Sequence, residues 1–308
     1  MRWVHEALLS LGHQVDRARD ASGFQGLSQT CDLVLLTQKG FGGRWPDLKA
    51  NFSQRKAIIA QWWFDLIAYQ PGVPIAQQGY LSPDNHLPLM RACDLVFVKE
   101  RELLPEFHAL GVNAHYLDQG CPVDSPECIR ATEPKWDVLL WGQSYPERTA
   151  DASSLADAGL RVAWAGNDRG VPRGIESLPW CHPNYLPAIA GQASLVLSCD
   201  KRHDINGYWS DRFWMALGMG CCVLRRETPG LPDGPFIVYR DRHELVERAK
   251  ELLAAHGDRS AHTPGWSPRV LQFGKEAREW SLQNHTLAHR CRRLIEIVNA
   301  HTAKDRVA

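Results

Sequence analysis

Short apolar segments alternate with amphipathic ones along nearly the whole chain. That alternation dictates parallel sheets built from strand–helix–strand units. Trp3–Leu11 reads as a helix with Val4, Ala7, Leu8 and Leu11 on one face, closed by Gly12. Gln14–Ala18 can begin a strand, and Asp32–Leu36, Ala57–Ala60, Asp94–Val98 and Ala114–Leu117 follow as strands. Leu103–Leu110 is a helix closed by Gly111. In such a sheet a strand and a glycine-containing turn ordinarily precede the first helix. This chain begins at the helix, so the first strand is expected to be missing, or the sheet to start unusually.

A break is expected within Cys121–Pro134, a polar stretch with three prolines. The alternation then restarts. Strands are expected at Asp137–Trp141, Arg161–Ala165, Ser194–Cys199, Cys221–Arg225 and Phe236–Tyr239. Helices are expected at Ser153–Ala158, Leu186–Gly191, Asp211–Met219 and His243–Ala255, with a closing helix at Asn284–Ala300. Two α/β halves in 308 residues match the usual size of about 150 residues per domain.

Composition removes several classes. Lys+Arg and Asp+Glu are both 35, so a broad basic surface for nucleic acid is disfavoured. No apolar run reaches the roughly 18–20 residues of a membrane span. His5 and Glu6 interrupt the N-terminus, which does not read as a signal peptide. Nine cysteines without repeated spacing imply reduced thiols and a cytoplasmic protein. Cys199 with His203, and Cys181 with His182, are the nearest approach to a zinc pattern; buried thiols and surface imidazoles explain them better. No metal and no cofactor are expected.

Ligands of open α/β sheets sit outside the carboxyl ends of the strands, where loop amides and helix N-termini converge. The residues after each strand are therefore the informative ones: Lys39–Arg44, Gln61–Asp65, Lys99–Arg101, Gly142–Arg148, Gly166–Asp168, Asp200–His203 and Arg225–Glu227. Gly40, Gly42 and Gly43 fall short of a dinucleotide fingerprint because Trp45 stands at its last glycine, so a flexible loop is the better reading. There is no GxxxxGK[ST] phosphate loop and no GxSxG nucleophile elbow. The richest segment is Gly207–Leu224. Ser210 or Asp211 can cap a helix whose free N–H groups would accept a phosphate. Arg212, in its first turn, opposes the helix dipole and so wants an anion, either a ligand or an internal carboxylate.

Tyr208-Trp-Ser-Asp-Arg212, Leu217-Gly-Met-Gly220 and Cys222-Val-Leu224 resemble the donor-binding motif of GT-B glycosyltransferases of the CgeB-like, spore-maturation type, within the glycosyltransferase group 1 family. The likeness is specific over residues 204–250 and extends to Cys93–Phe97 and His285–Arg290. It implies a GT-B fold, two Rossmann-like domains facing across a cleft. Residues 1–125 would form the acceptor-side domain, 134–280 the donor domain, and 281–308 a closing helix near the hinge. It implies a nucleotide-sugar donor such as a UDP-sugar, bound by Gly142, Arg148, Tyr208, Ser210, Asp211 and Arg212. Family members often carry a ribose-binding glutamate where Met215 stands, so Glu227 is assigned that role. There is no DxD triplet, which leaves a metal-dependent mechanism unsupported. Asp65 is the candidate base for the acceptor, against a plain helix-capping aspartate. Trp62 and Trp63 are candidate acceptor-stacking residues, against core indoles. The acceptor is a glycan, a protein or a modified phage DNA base. A non-catalytic binder of sugar nucleotides or glycans is the second reading. An epimerase of the same architecture is disfavoured by the Tyr208–Arg212 run.

Overall fold

A computed structural model describes residues 2–17, 30–37, 57–68, 70, 72–78, 86–166, 170–254 and 265–305. The chain divides into two compact units: Met1–Gln119, Ile205–Tyr208 and Leu287–Ala308 form the first, and Gly120–Asp204 with Trp209–Thr286 the second. The division thus falls just before Cys121, and the closing helix belongs to the first unit.

In the first unit, β1 (Leu33–Thr37), β2 (Ile58–Trp62), β3 (Leu95–Val98) and β4 (Ala114–Tyr116) form a parallel sheet in that order. Leu36 pairs with Gln61, Gln61 with Val96, and Val98 with Tyr116. Successive side chains in a strand point to opposite faces. Ile59, Trp63, Val96 and Val98 therefore share one face and bury Met90 of α2 (Leu87–Ala92) and Phe107 of α3 (Leu104–Ala109). Gln14–Arg17, expected to open a strand, carry none; Val15 is the one apolar side chain among them, too little for a strand face to bury. The first described element is α1 (Arg2–Ser10), which packs on the closing helix, Leu287–Asp305.

The second unit holds β5 (Trp136–Trp141), β6 (Val162–Ala165), β7 (Glu176–Leu178), β8 (Ala193–Ser198), β9 (Cys222–Arg226) and β10 (Ile237–Tyr239). All pairings are parallel, in the order β10-β9-β8-β5-β6-β7. Strand order reverses between β5 and β8, which makes the crevice above their C-terminal ends the natural ligand site. Both faces are covered, so the central strands read as continuous apolar runs. Leu139, Val196 and Val223 meet Phe213 and Leu217 on one face; Val138, Leu140, Leu195 and Leu224 meet Leu155 and Leu245 on the other.

The helices of this unit are α4 (Pro146–Asp157), α5 (Leu186–Ala190), α6 (Asp211–Gly218), α7 (Arg242–Leu253) and α8 (Pro268–Asn284), and α9 is Leu287–Asp305. Helix α4 starts at a proline, whose missing N–H costs nothing in a first turn. Helix α8 crosses the end of α6 so closely that a Cβ on Gly274 would lie 2.3 Å from the Gly220 carbonyl oxygen.

Candidate functional site

At the switch point β5 runs out at Trp141 and the chain turns through Gly142 at φ +100°. Gly142 N–H donates to the Ala165 carbonyl over 2.9 Å, and a Cβ on Gly166 would stand 3.1 Å from Gly142 N. The two loop starts therefore lie backbone against backbone. A Cβ on residue 142 would come 3.1 Å from Arg212 Nη1 and 3.3 Å from Arg148 Nη1. Glycine here lets two guanidinium groups approach the end of a strand.

The two arginines differ in role. Arg148 is buried and spends its donors on the main chain. Its Nε and Nη2 donate to Cys199 O over 2.9 and 2.5 Å, and its Nη1 donates to Gln143 O over 2.5 Å. It ties the loop after β5 to the end of β8. Burial first, and then the charge of Arg212, push its guanidinium down to about 10. Arg212 is only half-buried, in the first turn of α6, where the helix dipole is already positive. Two like charges thus stand beside a positive helix end, with the Asp200 carboxylate near enough to act on both, and this favours an anion at the loop edge.

Ser210 has the extended backbone of an N-cap, but its buried hydroxyl caps no helix amide. Its N–H donates instead to Asp200 Oδ2 at 3.2 Å. The first amides of α6 thus have no side-chain cap. Asp211, the other candidate cap, is exposed. Asp200 also receives Arg225 Nη1 at 2.6 Å, and neither side chain reaches solvent. Burial alone would raise the Asp200 carboxyl. The charges of Arg225 and Arg212, with hydrogen bonds from Ser210 and Arg225, outweigh that and hold it well below the usual carboxylate range. His203, after β8, has Nε2 3.6 Å from Cys199 Sγ, and burial together with the Arg225 charge lowers it to about 4. Glu227 directly follows β9 and is exposed, its N–H bonded to Tyr239 O at 2.9 Å. Met215 packs against the core beneath α6.

The remaining expected residues fall in the first unit. The Tyr208–Arg212 run is divided: Tyr208 is buried in the first unit's core with Lys99 Nζ 4.6 Å from its ring, while Trp209–Arg212 belong to the second unit. Gly207 turns at φ +81°, and a Cβ there would meet the Tyr116 ring at 2.9 Å. Trp62 and Trp63, expected toward the acceptor, are both fully buried, Trp63 within the core and edge-on to His86. Asp65 is half-buried after β2. Lys39–Arg44, with Gly40, Gly42 and Gly43, and Asn167–Asp168 lie outside the described residues.

Glu100 carries a second signal. Fully buried just beyond β3, it accepts from Ile67 N at 2.5 Å and Ala68 N at 3.4 Å, two and three residues past Asp65. Its Oε2 has no partner, and burial raises the carboxyl to about 7. In the sequence Glu100, Asp200 and Arg225 stand out only by their place at strand ends, and nothing there marks their partners. Among the described residues no group of three or more His, Cys, Asp or Glu is arranged to hold a metal ion, and no helix is long and apolar enough to cross a membrane. None of the nine cysteines is in a disulfide.

A glycosyl transferase-like family model matches residues 127–296. No curated protein matches significantly. Solved structures do. Sucrose-phosphate synthase from Thermosynechococcus elongatus superposes with a TM-score of 0.61 at 12% identity, over 91% of this chain and 77% of that one. A DNA-modifying beta-glucosyltransferase studied with and without uridine diphosphoglucose gives 0.64 at 13%, over 97% and 93%. T4 phage BGT in complex with UDP and Mn2+ gives 0.58 at 16%, over 96% and 93%. At these identities the likeness is one of fold, GT-B with two Rossmann-like domains.

Proposed function

Since the chain belongs to the glycosyl transferase-like family, we propose that this glycosyltransferase binds a nucleotide sugar with its diphosphate against Gly142 and the first turn of α6. The observation that carries the reading is the pair of guanidinium groups meeting at Gly142, beside a helix N-terminus that has no side-chain cap. Sugar transfer leaves a nucleoside diphosphate that gains negative charge as the glycosidic bond breaks. Fixed cations and helix amides stabilise that charge without reorganising.

Arg212 is the contacting cation in this reading, and Arg148 fixes the loop that carries Gly142. Ser210 supplies its hydroxyl and Asp211 shields the helix end. Glu227, at the mouth of β9, takes the ribose hydroxyls that Met215 cannot. The first unit receives the acceptor, with Asp65 or its neighbour Glu100 taking the acceptor proton. Trp62, Trp63 and Tyr208 serve as core residues there. The cationic cradle supports a metal-independent departure, in contrast to the Mn2+ found with the T4 phage enzyme.

The Tyr208–Arg212 run favours the CgeB-like subtype, and the UDP of the similar structures favours a UDP-sugar. The acceptor is a glycan, a protein or a modified DNA base, the last favoured by the likeness to a DNA-modifying enzyme. Free thiols throughout suit a cytoplasmic setting. The test is a thermal-shift screen across UDP-, GDP- and TDP-sugars, followed by an assay for free nucleoside diphosphate. One nucleotide class should raise Tm and be slowly hydrolysed without acceptor. Binding with no hydrolysis and no transfer would instead identify the non-catalytic relative, which Met215 favours.

A further inference from the structure

We propose that Cys128 and Cys221 are a redox pair whose sulfurs join in a disulfide when the protein meets hydrogen peroxide, clamping the segment that enters the second unit to the end of α6. The proposal is independent of where the donor binds. Cys128 Sγ lies 3.3 Å from Cys221 Sγ, and both side chains are buried within the second unit. A single buried thiol is usually inert packing. Two sulfurs in contact are different, because an S–S bond of about 2.0 Å then needs only a small closing motion.

Main-chain contacts hold the two cysteines opposite each other. Cys128 N donates to Met219 O over 2.9 Å, two residues before Cys221. Arg130 Nη2 donates to Gly220 O at 2.9 Å. Arg278 Nη1, from α8, donates to Ser125 O at 2.8 Å and also to Gly218 O. Gly220 makes the turn from α6 into β9 at φ +78°. Ile129 N and Ala131 N donate to Pro187 O and Gly191 O. Residues 125–131 are thus laid along the α6–β9 turn, and the sulfurs meet without any rearrangement of the chain.

The two sulfurs are not equivalent. Cys128 stands between the exposed Glu127 and Ile129 and is the less buried of the pair. The hydrogen bond from the Cys221 thiol, and then the charge of Arg130, hold the Cys128 thiol below its ordinary value of 9 against the effect of burial. The same hydrogen bond, and then burial, push Cys221 up. Cysteines become reactive thiolates in such cationic, accessible surroundings, so Cys128 attacks first. Its sulfur takes one oxygen of the peroxide, the O–O bond breaks, and the other oxygen leaves as water. Cys221 then attacks the sulfur of the Cys128 sulfenic acid and gives up its proton; the S–S bond forms, the S–O bond breaks and a second water leaves. Two thiols lose two electrons and two protons, and one hydrogen peroxide becomes two waters. The bond joins residues 93 apart and so restricts the unfolded chain. It lies beyond the C-terminal end of α6, while Arg212 stands in the first turn, so the clamp acts on stability and leaves the Gly142 cradle as it is.

The experiment treats the reduced full chain with hydrogen peroxide, blocks the remaining thiols and maps the cross-linked peptides by mass spectrometry without reduction. Two of the nine thiols should be lost, and the peptides holding Cys128 and Cys221 should be joined. Cys121 shares a tryptic peptide with Cys128, and Cys222 shares one with Cys221. Cys121→Ala and Cys222→Ala should therefore still form the bond, and Cys128→Ala and Cys221→Ala should not. In Cys221→Ala the sulfenic acid should persist on Cys128, where dimedone traps it. The oxidised parent should melt about 5–10 °C above the reduced one, and dithiothreitol should reverse the shift. A cross-link that survives in Cys128→Ala or Cys221→Ala overturns the pair, and so does a parent that keeps all its thiols or oxidises them without this link. The link formed with Tm unchanged or lowered overturns the clamp.

Discussion

Arg212 Nη1 lies 3.1 Å from where a Cβ on residue 142 would stand, so its guanidinium rests on the bare backbone of Gly142. The glycine is also needed for its own conformation, at φ +100°. Gly142→Ala should therefore act twice. It forces a left-handed backbone on alanine, at a cost of about 1–3 kcal/mol, and it makes both guanidinium groups give way by a few tenths of an ångström. Denaturant melts should show that loss of stability. Nucleoside-diphosphate affinity should fall with it, and an unchanged affinity would remove Gly142 from the site.

The Asp200–Arg225 pair sets the floor of the same site. Asp200→Ala leaves a buried guanidinium with no counter-charge, which should cost about 3–5 kcal/mol in urea unfolding. The double variant Asp200→Leu with Arg225→Met should recover much of it, because it removes both charges. The acid limb carries the sign of a depressed carboxyl. Its stabilisation is complete above the ordinary value of 3.8 and is lost as pH falls below it. The double variant should lose less stability than the parent over that acid range.

Glu100 should behave oppositely. Its carboxyl is raised from 4.5 to about 7, so its contribution is full below 4.5 and is lost as pH rises through 7. Glu100→Gln keeps an oxygen for the Ile67 and Ala68 amides and cannot ionise. The variant should gain stability relative to the parent across that range, by at most about 3 kcal/mol. Parallel pH–stability curves for the two proteins would show that Glu100 does not titrate there.

What could be read from the sequence was whatever local pattern decides. The β5 run Val138–Leu140, the glycine after it and the Asp211–Gly218 helix all announce themselves, because apolar continuity and helical periodicity are local properties. Helix α8 is not legible in the sequence because Gly274 stands in its middle, and the close crossing of Gly220 accounts for that glycine. Strand β7 is three residues with two exposed side chains, and it exists through its pairing with β6. The division of Tyr208 from Arg212, the burial of Trp62 and Trp63, and the bonding of Arg225 to Asp200 across 25 residues are tertiary facts. Arg148 illustrates the limit best. Its place after β5 suggested a ligand contact, but its donors are committed to Cys199 and Gln143.

Charge supplied by arginine and helix amides should be sensitive to salt and indifferent to chelators. Donor hydrolysis should continue in excess EDTA. It should decline as ionic strength rises, since the Arg212 contact is only half-buried and is screened over about 8–10 Å at ordinary salt. Activity abolished by EDTA and restored by Mn2+ would contradict the metal-independent mechanism.

The central claim is that Arg212 holds the donor diphosphate. It is tested most directly by titrating UDP, or whichever nucleoside diphosphate the screen selects, into the parent and Arg212→Ala by calorimetry. A charged hydrogen bond to phosphate contributes about 1.5–3 kcal/mol, so Kd should rise roughly ten- to more than a hundred-fold with Tm little changed. Equal Kd values for the two proteins would contradict the account and place the diphosphate elsewhere.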